Sequence, residues 1–488
     1  MFGKPLRKLE FTTNWERSQW IDASKNIPLF EKLSPTKQYL LNKYFGLESE
    51  AEFTRFPFRI FNIDIEIEIK DEFPEPESAA YPINVISLYD TLTSSLIVWM
   101  FRQGIDNLLT TKEEERIKAE IAKYDVNARV VFCTFEKEHQ MLNDFMKYWE
   151  ENCPDIVTGW NTKKFDIPYI INRIKRIFGE AEANRFSPCQ DIKHPVYSTF
   201  EFESNCNVYH ITAVNLCDYL DLYKKFAGTS RQSFKLDYIA HLELGVGKLD
   251  YYELGYESMR DFMTKDFCTF VLYNMIDTVL IKLMDDKLKF ISLMRNVCNI
   301  GLVEYESIFR SIPYILGALV IQARMQNQYF LTDSNKSEDK KSDSEGFTGA
   351  FVYPTKAGYY DKGVMSFDFN SLYPNVMMTV NISPDTKVGK VISDITNNEI
   401  EIKKTNGKII SVSQEAFSKL LDEKCTLSAN NVLYIKPSIK FGIIPKFLEK
   451  TYNLRKSTKK SMLNNKLKVK DLEEEISKLE AQLNDLGN

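Results

Sequence analysis

Between Phe61 and Ile69 the chain reads FNIDIEIEI, a strict alternation that turns Phe61, Ile63, Ile65, Ile67 and Ile69 one way and Asp64, Glu66 and Glu68 the other. Such a period predicts a strand with one apolar face. From Phe58 to about residue 290, short β-rich runs alternate with helical ones, which predicts an α/β layer architecture around a mostly buried sheet. Residues 1 to about 55 read as a small helical segment with Trp15, Trp20, Ile27, Phe30 and Leu40 as apolar anchors. The stretch Thr332–Glu345, TDSNKSEDKKSDSE, has no large apolar residue and predicts a flexible linker at a domain boundary. A second β-rich region follows, from GAFVYP to SFDFNSLYP, and from Ile444 a helical pattern runs to the last residues. Within it Leu472, Ile476, Leu479, Leu483 and Leu486 are spaced four, three, four, three, the heptad signature of a helix that needs an apolar partner. No internal repeat is visible.

At 488 residues the chain exceeds one ordinary core, so two to four domains are expected. Its 44% hydrophobic and 27% charged residues are those of a globular protein. No unbroken apolar run approaches the ~20 residues of a bilayer crossing, and Met1 to Phe11 is too charged for a secretory signal, so the expectation is a cytoplasmic protein with no membrane contact. The eight cysteines, at 133, 153, 189, 206, 217, 268, 298 and 425, form no C-x-x-C pair, which argues against structural zinc and against a disulfide framework. A net charge of −5 leaves any nucleic-acid contact to local patches. Candidates are Arg173, Lys175 and Arg176, then Lys224, Lys225 and Arg231, then Lys446 to Lys470, although each alone reads first as a solvated face.

Candidate chemistry gathers in three places. The acids of the alternating strand are ordinarily a solvated face, but like charges two residues apart repel, and a divalent cation is the usual compensation. In TGWNTKKFDIPYI, Gly159 and Asn161 open a turn and Phe165-Asp166 begins a helix, where Asp166 could equally be an N-cap. In LYNMIDTVLI, Tyr273 and Asp277 are four apart and project from one helix face. Four carboxylates and a tyrosine suit phosphodiester hydrolysis by two Mg²⁺ (or Mn²⁺) ions about 4 Å apart, hard cations that take carboxylate oxygens.

The order D-x-E, N-x-x-x-F-D, Y-x-x-x-D resembles the three exonuclease motifs of the family B DNA polymerases, and the connecting strings KDEFPEPESAAYPI, DYLDLYKKFA and SFKLDYIAH resemble those of T-even-type phages. The resemblance covers nearly the whole chain. It implies an RNase H-like 3′ to 5′ proofreading exonuclease in which Asp64, Glu66, Asp166 and Asp277 bind metal and Tyr273 orients the water. Glu68 has no counterpart in the motif.

In VMSFDFNSLYPNVM an apolar strand is expected to deliver Asp368 and turn through Asn370-Ser371 into a helix. Asp368 could be a cap there, or the acid beside a helix start that receives a metal-bound triphosphate. The string D-x-x-S-L-Y-P resembles the family's first palm motif. The resemblance implies that Asp368 and the Phe369 carbonyl hold Mg²⁺, that Ser371 and Leu372 touch phosphate, and that Tyr373 packs under the sugar and rejects a 2′-hydroxyl. GFTGAFVYP, 346–354, resembles the family's template-contacting link. In GIIPKFLEKTYNLRKSTKK, Arg455 and Lys459 share one helix face and could hold a triphosphate by fork and point charge, or be merely solvated. Their family counterparts lie on the first fingers helix.

Two further motifs of the family, K-x-x-x-N-S-x-Y-G and D-T-D-S, occur nowhere in these 488 residues. Two-metal nucleotide transfer needs a second acid, so the expectation is a split polymerase whose remaining palm, fingers and thumb come on a second polypeptide packed on the C-terminal helix. The expected fold is a multidomain α/β and α+β protein. Its parts are a partial N-terminal domain (1–57), the exonuclease (58–290), a helical return and linker (291–345), a partial palm (346–440) and the first fingers helix (441–488). Expected partners are a single-stranded 3′ end, primer-template DNA and a dNTP. The competing readings are a stand-alone Mg²⁺-dependent 3′ to 5′ exonuclease with a vestigial palm and, far behind, a non-catalytic DNA-binding scaffold, in which such acids would be expected to have been lost.

Overall fold

The alternating segment forms β1 (Ile60–Ile67), and Phe61, Ile63, Ile65 and Ile67 are buried while Asp64 and Glu66 keep partial exposure. The computed structural model describes residues 9–24, 35–44, 57–68, 74–104, 108–193, 208–228, 230–326, 328 and 352–486. Ile69, Ile27, Phe30, the 332–345 stretch and residues 346–351 of the link lie outside them. The chain divides into two compact units, Gly46–Tyr314 and Met1–Phe45 with Ile315–Asn488.

In the first of these, β1 is an inner strand of a six-stranded sheet with β2 (Ile83–Asp90), β3 (Ser95–Phe101), β4 (Arg129–Phe135), β5 (Ile156–Thr158) and β8 (Asn215–Leu216), in the order β4-β3-β2-β1-β5-β8. β1 runs antiparallel to β2 and parallel to β5, so the sheet is mixed. The short strands β6 (Ile192–Lys193) and β7 (His210–Ile211) form a separate pair. β2 and β3 are buried along their whole length because helices cover both faces.

The helices α1 (Asn14–Ala23) and α2 (Pro35–Tyr44) belong to the Met1–Phe45 part of the other unit; this unit's helices begin with α3 (Thr111–Tyr124), α4 (Glu138–Glu151) and α5 (Asp166–Phe178). Then come α6 (Tyr219–Phe226), α7 (Leu236–Leu244), α8 (Met259–Lys265), α9 (Phe267–Leu288) and α10 (Phe290–Gly301). The isoleucines of β1 pack on one side against Phe145 and Trp149 of α4 and Ile170 and Ile174 of α5. On the opposite side Val85, Leu96 and Val98 meet Ile117 and Ile121 of α3 and the length of α9. The acids of β1 therefore face α9. By length and composition α9 could cross a membrane, a property hidden from a search for unbroken apolar runs by its interspersed Asn, Asp and Lys; here it is the core helix, with 83% of its most apolar window buried.

In the second unit, α11 (Ser311–Met325) and α12 (Leu372–Val380) precede a five-stranded antiparallel sheet. Its strands are β9 (Lys387–Val391), β10 (Glu399–Lys404), β11 (Ile409–Ser413), β12 (Cys425–Leu427) and β13 (Val432–Ile435), in the order β11-β10-β9-β13-β12. Phe417 of α13 (Gln414–Glu423) closes a small core with Val391, Ile400, Ile402 and Leu433. A single helix, α14 (Ile443–Leu486), then realises the long C-terminal pattern, with Leu472, Ile476 and Leu479 more than half exposed.

Three expectations need correction. Trp15 is 71% exposed and no residue of α1 is buried, so it anchors nothing among the described residues. The apolar run before Asp368 forms no strand: residues 363–369 pair with nothing described, and Val364, Met365 and Phe367 are exposed. Strand propensity needs a neighbouring edge, and β structure starts only at Lys387. Arg173 is no surface cation. Its guanidinium is buried, donating to both Glu138 oxygens (2.8 and 2.6 Å) and to the Ala79 and Ala80 carbonyls (3.0 and 3.1 Å), while Glu138 also accepts the Ile83 N–H at 2.9 Å.

Breaking that pair leaves a buried carboxylate without its cation, a loss of about 3–5 kcal/mol. Denaturant titration of Arg173→Ala should show a destabilisation of that order, and a change below about 1 kcal/mol would mean that the pair does not anchor α5 to the 79–83 segment.

Candidate functional site

The site in the first unit exists because β5 is short. Its parallel pairing with β1 ends at Asn62↔Thr158, which leaves the next residues of β1 with an open edge. The turn after β5 fills that edge. Gly159 is required there, since a Cβ would stand 1.9 Å from Thr162 Oγ1 and 2.5 Å from the Ile63 carbonyl oxygen. Asn161 takes the left-handed conformation, φ 66°, which Asn tolerates. Buried Asp218 fixes the turn by accepting the N–H groups of Asn161 (3.1 Å), Lys163 (3.1 Å) and Leu220 (2.9 Å). The turn ends at Asp166, the first residue of α5, whose Oδ1 accepts the Ile65 N–H at 3.1 Å.

From the other side, α9 presents Tyr273, Asn274 and Asp277. Asn274 donates to Asp64 Oδ2 at 2.6 Å. Asp64, Glu66 and Asp277 each offer one carboxylate oxygen, all within 4.8 Å of one another. Asp166 stands beside this trio rather than in it, one oxygen being committed to β1. Lys248 is the residue that sequence reasoning missed. Its ammonium pairs with Asp277 Oδ2 and lies 4.7 Å from the centre of the Tyr273 ring. The available signal was the flanking G-V-G: Gly247 packs closely against the side-chain ends of Asp237 and His241 of α7, and Asp237 accepts the Lys248 N–H at 2.9 Å.

Burial pushes the carboxyls up, Asp64 well above the usual range, Glu66 to about 8, Asp166 to about 7 and Asp277 to about 6. At Asp64 the charges of Asp166, Asp277 and Glu66 add to burial, whereas at Glu66 and Asp277 the Lys248 ammonium pulls back down. Burial, then Asp277 and Glu66, also raise the Tyr273 hydroxyl, which stays protonated and able to donate. Burial works against the Lys248 ammonium, yet Asp277, Tyr273 and Asp64 hold its pKa above the ordinary value. Asp277 Oδ1 is buried with no hydrogen-bond partner. Hard oxygen donors, one of them an orphaned acceptor, with one lysine against three clustered acids, fit a hard divalent cation.

In the second unit the expected residues are open to solvent. Asp368, Phe369 and Tyr373 are exposed and Leu372 is 46% exposed at the start of α12. Ser371, φ 52°, ends the turn, and Asp368 is not the cap. Arg455 and Lys459 are exposed on α14, and Arg455 Nη1 donates to Ser371 Oγ at 3.3 Å, which brings the basic helix and the Asp368–Tyr373 turn together. Of the other patches, Arg231 pairs with Glu243 and Lys175 with Glu180.

The family description "DNA polymerase family B, exonuclease domain" matches residues 9–239, and "DNA polymerase family B" matches residues 313–477. The first match contains Asp64, Glu66, Asp166 and Asp218, and the second contains Asp368, Arg455 and Lys459. Among curated relatives, the DNA-directed DNA polymerase of Escherichia phage RB69 is 29% identical over 471 residues, 95% of this chain and 49% of its own. That of Enterobacteria phage T4 is 28% identical over 486 residues, 98% of this chain and 50% of its own. The DNA polymerase delta catalytic subunit of Candida albicans is 24% identical over 334 residues, 66% of this chain and 29% of its own. The chain thus spans about half the length of the phage relatives.

The raised carboxyls carry a pH signature. Acids with folded pKa values above their unfolded values of about 4 favour the native state fully below pH 4, and that contribution is lost as pH rises through about 6 to 8. Without divalent ions, the melting temperature relative to an Asp64→Asn, Glu66→Gln variant should fall between pH 5 and pH 8.5. Millimolar Mg²⁺ should raise it more at pH 8.5 than at pH 5; equal shifts at both would contradict a proton-competed site.

Proposed function

The chain belongs to DNA polymerase family B, and from that premise we propose that residues 58–290 remove the 3′-terminal nucleotide of DNA in proofreading, while the parts from 346 on form half of a nucleotide-adding site. The observation that carries the first claim is the convergence of Asp64, Glu66 and Asp277 with Tyr273 and Lys248 in one cleft. Asp64, Glu66, Asp166 and Asp277 would hold two Mg²⁺ or Mn²⁺ ions, which when bound supply an activated water and neutralise the departing 3′ oxygen. The protonated Tyr273 hydroxyl holds the attacking water oxygen. Lys248, anchored by Asp277, keeps a fixed positive charge beside the scissile phosphate. Asn274 orients Asp64 by its hydrogen bond.

In the second half-site, Asp368 and the Phe369 carbonyl would be the metal ligands, Ser371 and Leu372 would meet phosphate, Tyr373 would lie under the sugar, and Arg455 and Lys459 would hold the triphosphate tail of a dNTP. One acid cannot hold two ions against a triphosphate. We propose that the part of the polymerase carrying the second acid, the second fingers segment and the thumb packs on the exposed Leu472, Ile476 and Leu479 stripe. The divisions 1–57, 58–290, 291–345, 346–440 and 441–488 and a cytoplasmic place of work belong to the same reading.

Asp64→Ala with Glu66→Ala should cut Mg²⁺-dependent digestion of single-stranded DNA roughly a thousandfold or more, the scale on which loss of electrostatic stabilisers costs, without unfolding the chain. Digestion at the wild-type rate would sink the assignment. Mixed with a polypeptide bearing N-S-x-Y-G and D-T-D-S, the chain should support template-directed synthesis. Asp368→Ala should abolish that synthesis and spare digestion, and Tyr373→Val should admit ribonucleotides. Digestion with no synthesis in any mixture would instead favour the stand-alone exonuclease.

A further inference from the structure

α14 starts where it has no side chain of its own to cap it. Ile443 is preceded by Gly442, and a helix leaves its first N–H groups without internal acceptors. Three consecutive donors are met by side chains from far upstream. Asn381 Oδ1 accepts the Gly442 N–H at 2.9 Å, Asp385 Oδ1 the Ile443 N–H at 3.2 Å and Ser383 Oγ the Ile444 N–H at 3.3 Å. These pairs are 58 to 61 residues apart in sequence, whereas an ordinary N-cap serves amides two or three residues on.

The acceptors are themselves locked. Asn381, φ 63°, terminates α12 by donating its N–H to the Met377 and Met378 carbonyls, and its Nδ2 donates to the Ile435 and Lys440 carbonyls at 2.6 and 2.7 Å. Thr386 Oγ1 donates to the Asn381 carbonyl at 2.6 Å, and its own carbonyl accepts the Ile435 N–H at 2.9 Å, which ties the segment to the end of β13. Lys440 pairs with Asp385 Oδ2 at 3.0 Å. Asn381 and Thr386 have no exposure and Ser383 has 2%. Gly442 is needed for the approach, since a Cβ there would stand 2.6 Å from Ser383 Cβ.

α12 and α14 therefore form a fork. Its closed end is the socket 381–386, and about three turns further along α14, Arg455 reaches Ser371 at the other end of α12. We infer that Asn381, Ser383 and Asp385 are positioning residues for nucleotide addition: gripping the first turn of α14, they aim Arg455 and Lys459 at the Asp368–Tyr373 turn. The inference rests on the reading of those two cations as triphosphate ligands.

Hydrogen exchange and Mg·dATP binding, measured on the full chain, test it together. In Asn381→Ala and Asp385→Ala the amides of 442–444 should exchange roughly tenfold faster and Mg·dATP should bind about tenfold more weakly. Digestion of single-stranded DNA should be unchanged, and Asp385→Asn, which keeps an acceptor, should restore most of both losses. Ser383→Ala, which removes one acceptor, serves if Asn381→Ala does not fold. Unchanged exchange overturns the socket. Faster exchange with unchanged Mg·dATP affinity, or with digestion lost as well, overturns the aiming role. If the wild-type chain binds no Mg·dATP, the nucleotide reading fails instead, and the socket stands or falls on the exchange rates alone.

Discussion

Everything in the exonuclease-like unit turns on the cost of holding acids together away from bulk water. Asp64, Glu66 and Asp277 are brought within 4.8 Å of one another, with Asp166 adjacent, and each has its carboxyl pushed up by burial. A single lysine answers three clustered charges. Such an arrangement does not assemble for its own stability, since like charges in a cleft oppose folding at neutral pH. The surrounding scaffold imposes it: an inner strand flanked by β2 and β5, a core helix on the facing side, and a turn fixed by Gly159 and Asp218. Strain of this kind is stored where a ligand relieves it.

The same logic explains the shape of the sheet. Had β5 continued beside β1, its backbone would have taken the Ile65 N–H, and Asp166 would have had no place to reach. Stopping at Thr158 lets a side chain from α5 finish the strand's edge while its carboxylate stays beside the other acids. In the second unit the corresponding economy is the fork of α12 and α14, in which one short segment closes one helix and opens the next.

Much of this was legible in the chain. The period of 61–69 gave both the strand and the face of its acids, and the spacing of Tyr273 and Asp277 gave a shared helix face, because these follow from local geometry. The motifs supplied the kinship that the family matches then bore out. Partners set by tertiary packing were not legible. Arg173 looked like a surface cation but is held by Glu138, 35 residues away, and Lys248 gave only glycines as a hint. The run before Asp368 has strand composition without a strand to pair with, a dependence on neighbours that no local pattern records. The helical pattern expected from Ile444 onward forms one helix, yet what caps its start lies around residue 383.

The central claim is that the acids of β1 and α9 share metal ions, and diffraction from crystals soaked in Mn²⁺, recorded near the manganese absorption edge, tests it most directly. The account predicts anomalous density within coordination distance of Asp64, Glu66 and Asp277, with a second peak towards Asp166. A cleft without manganese at a concentration that supports digestion, or peaks bound only elsewhere on the chain, would contradict it.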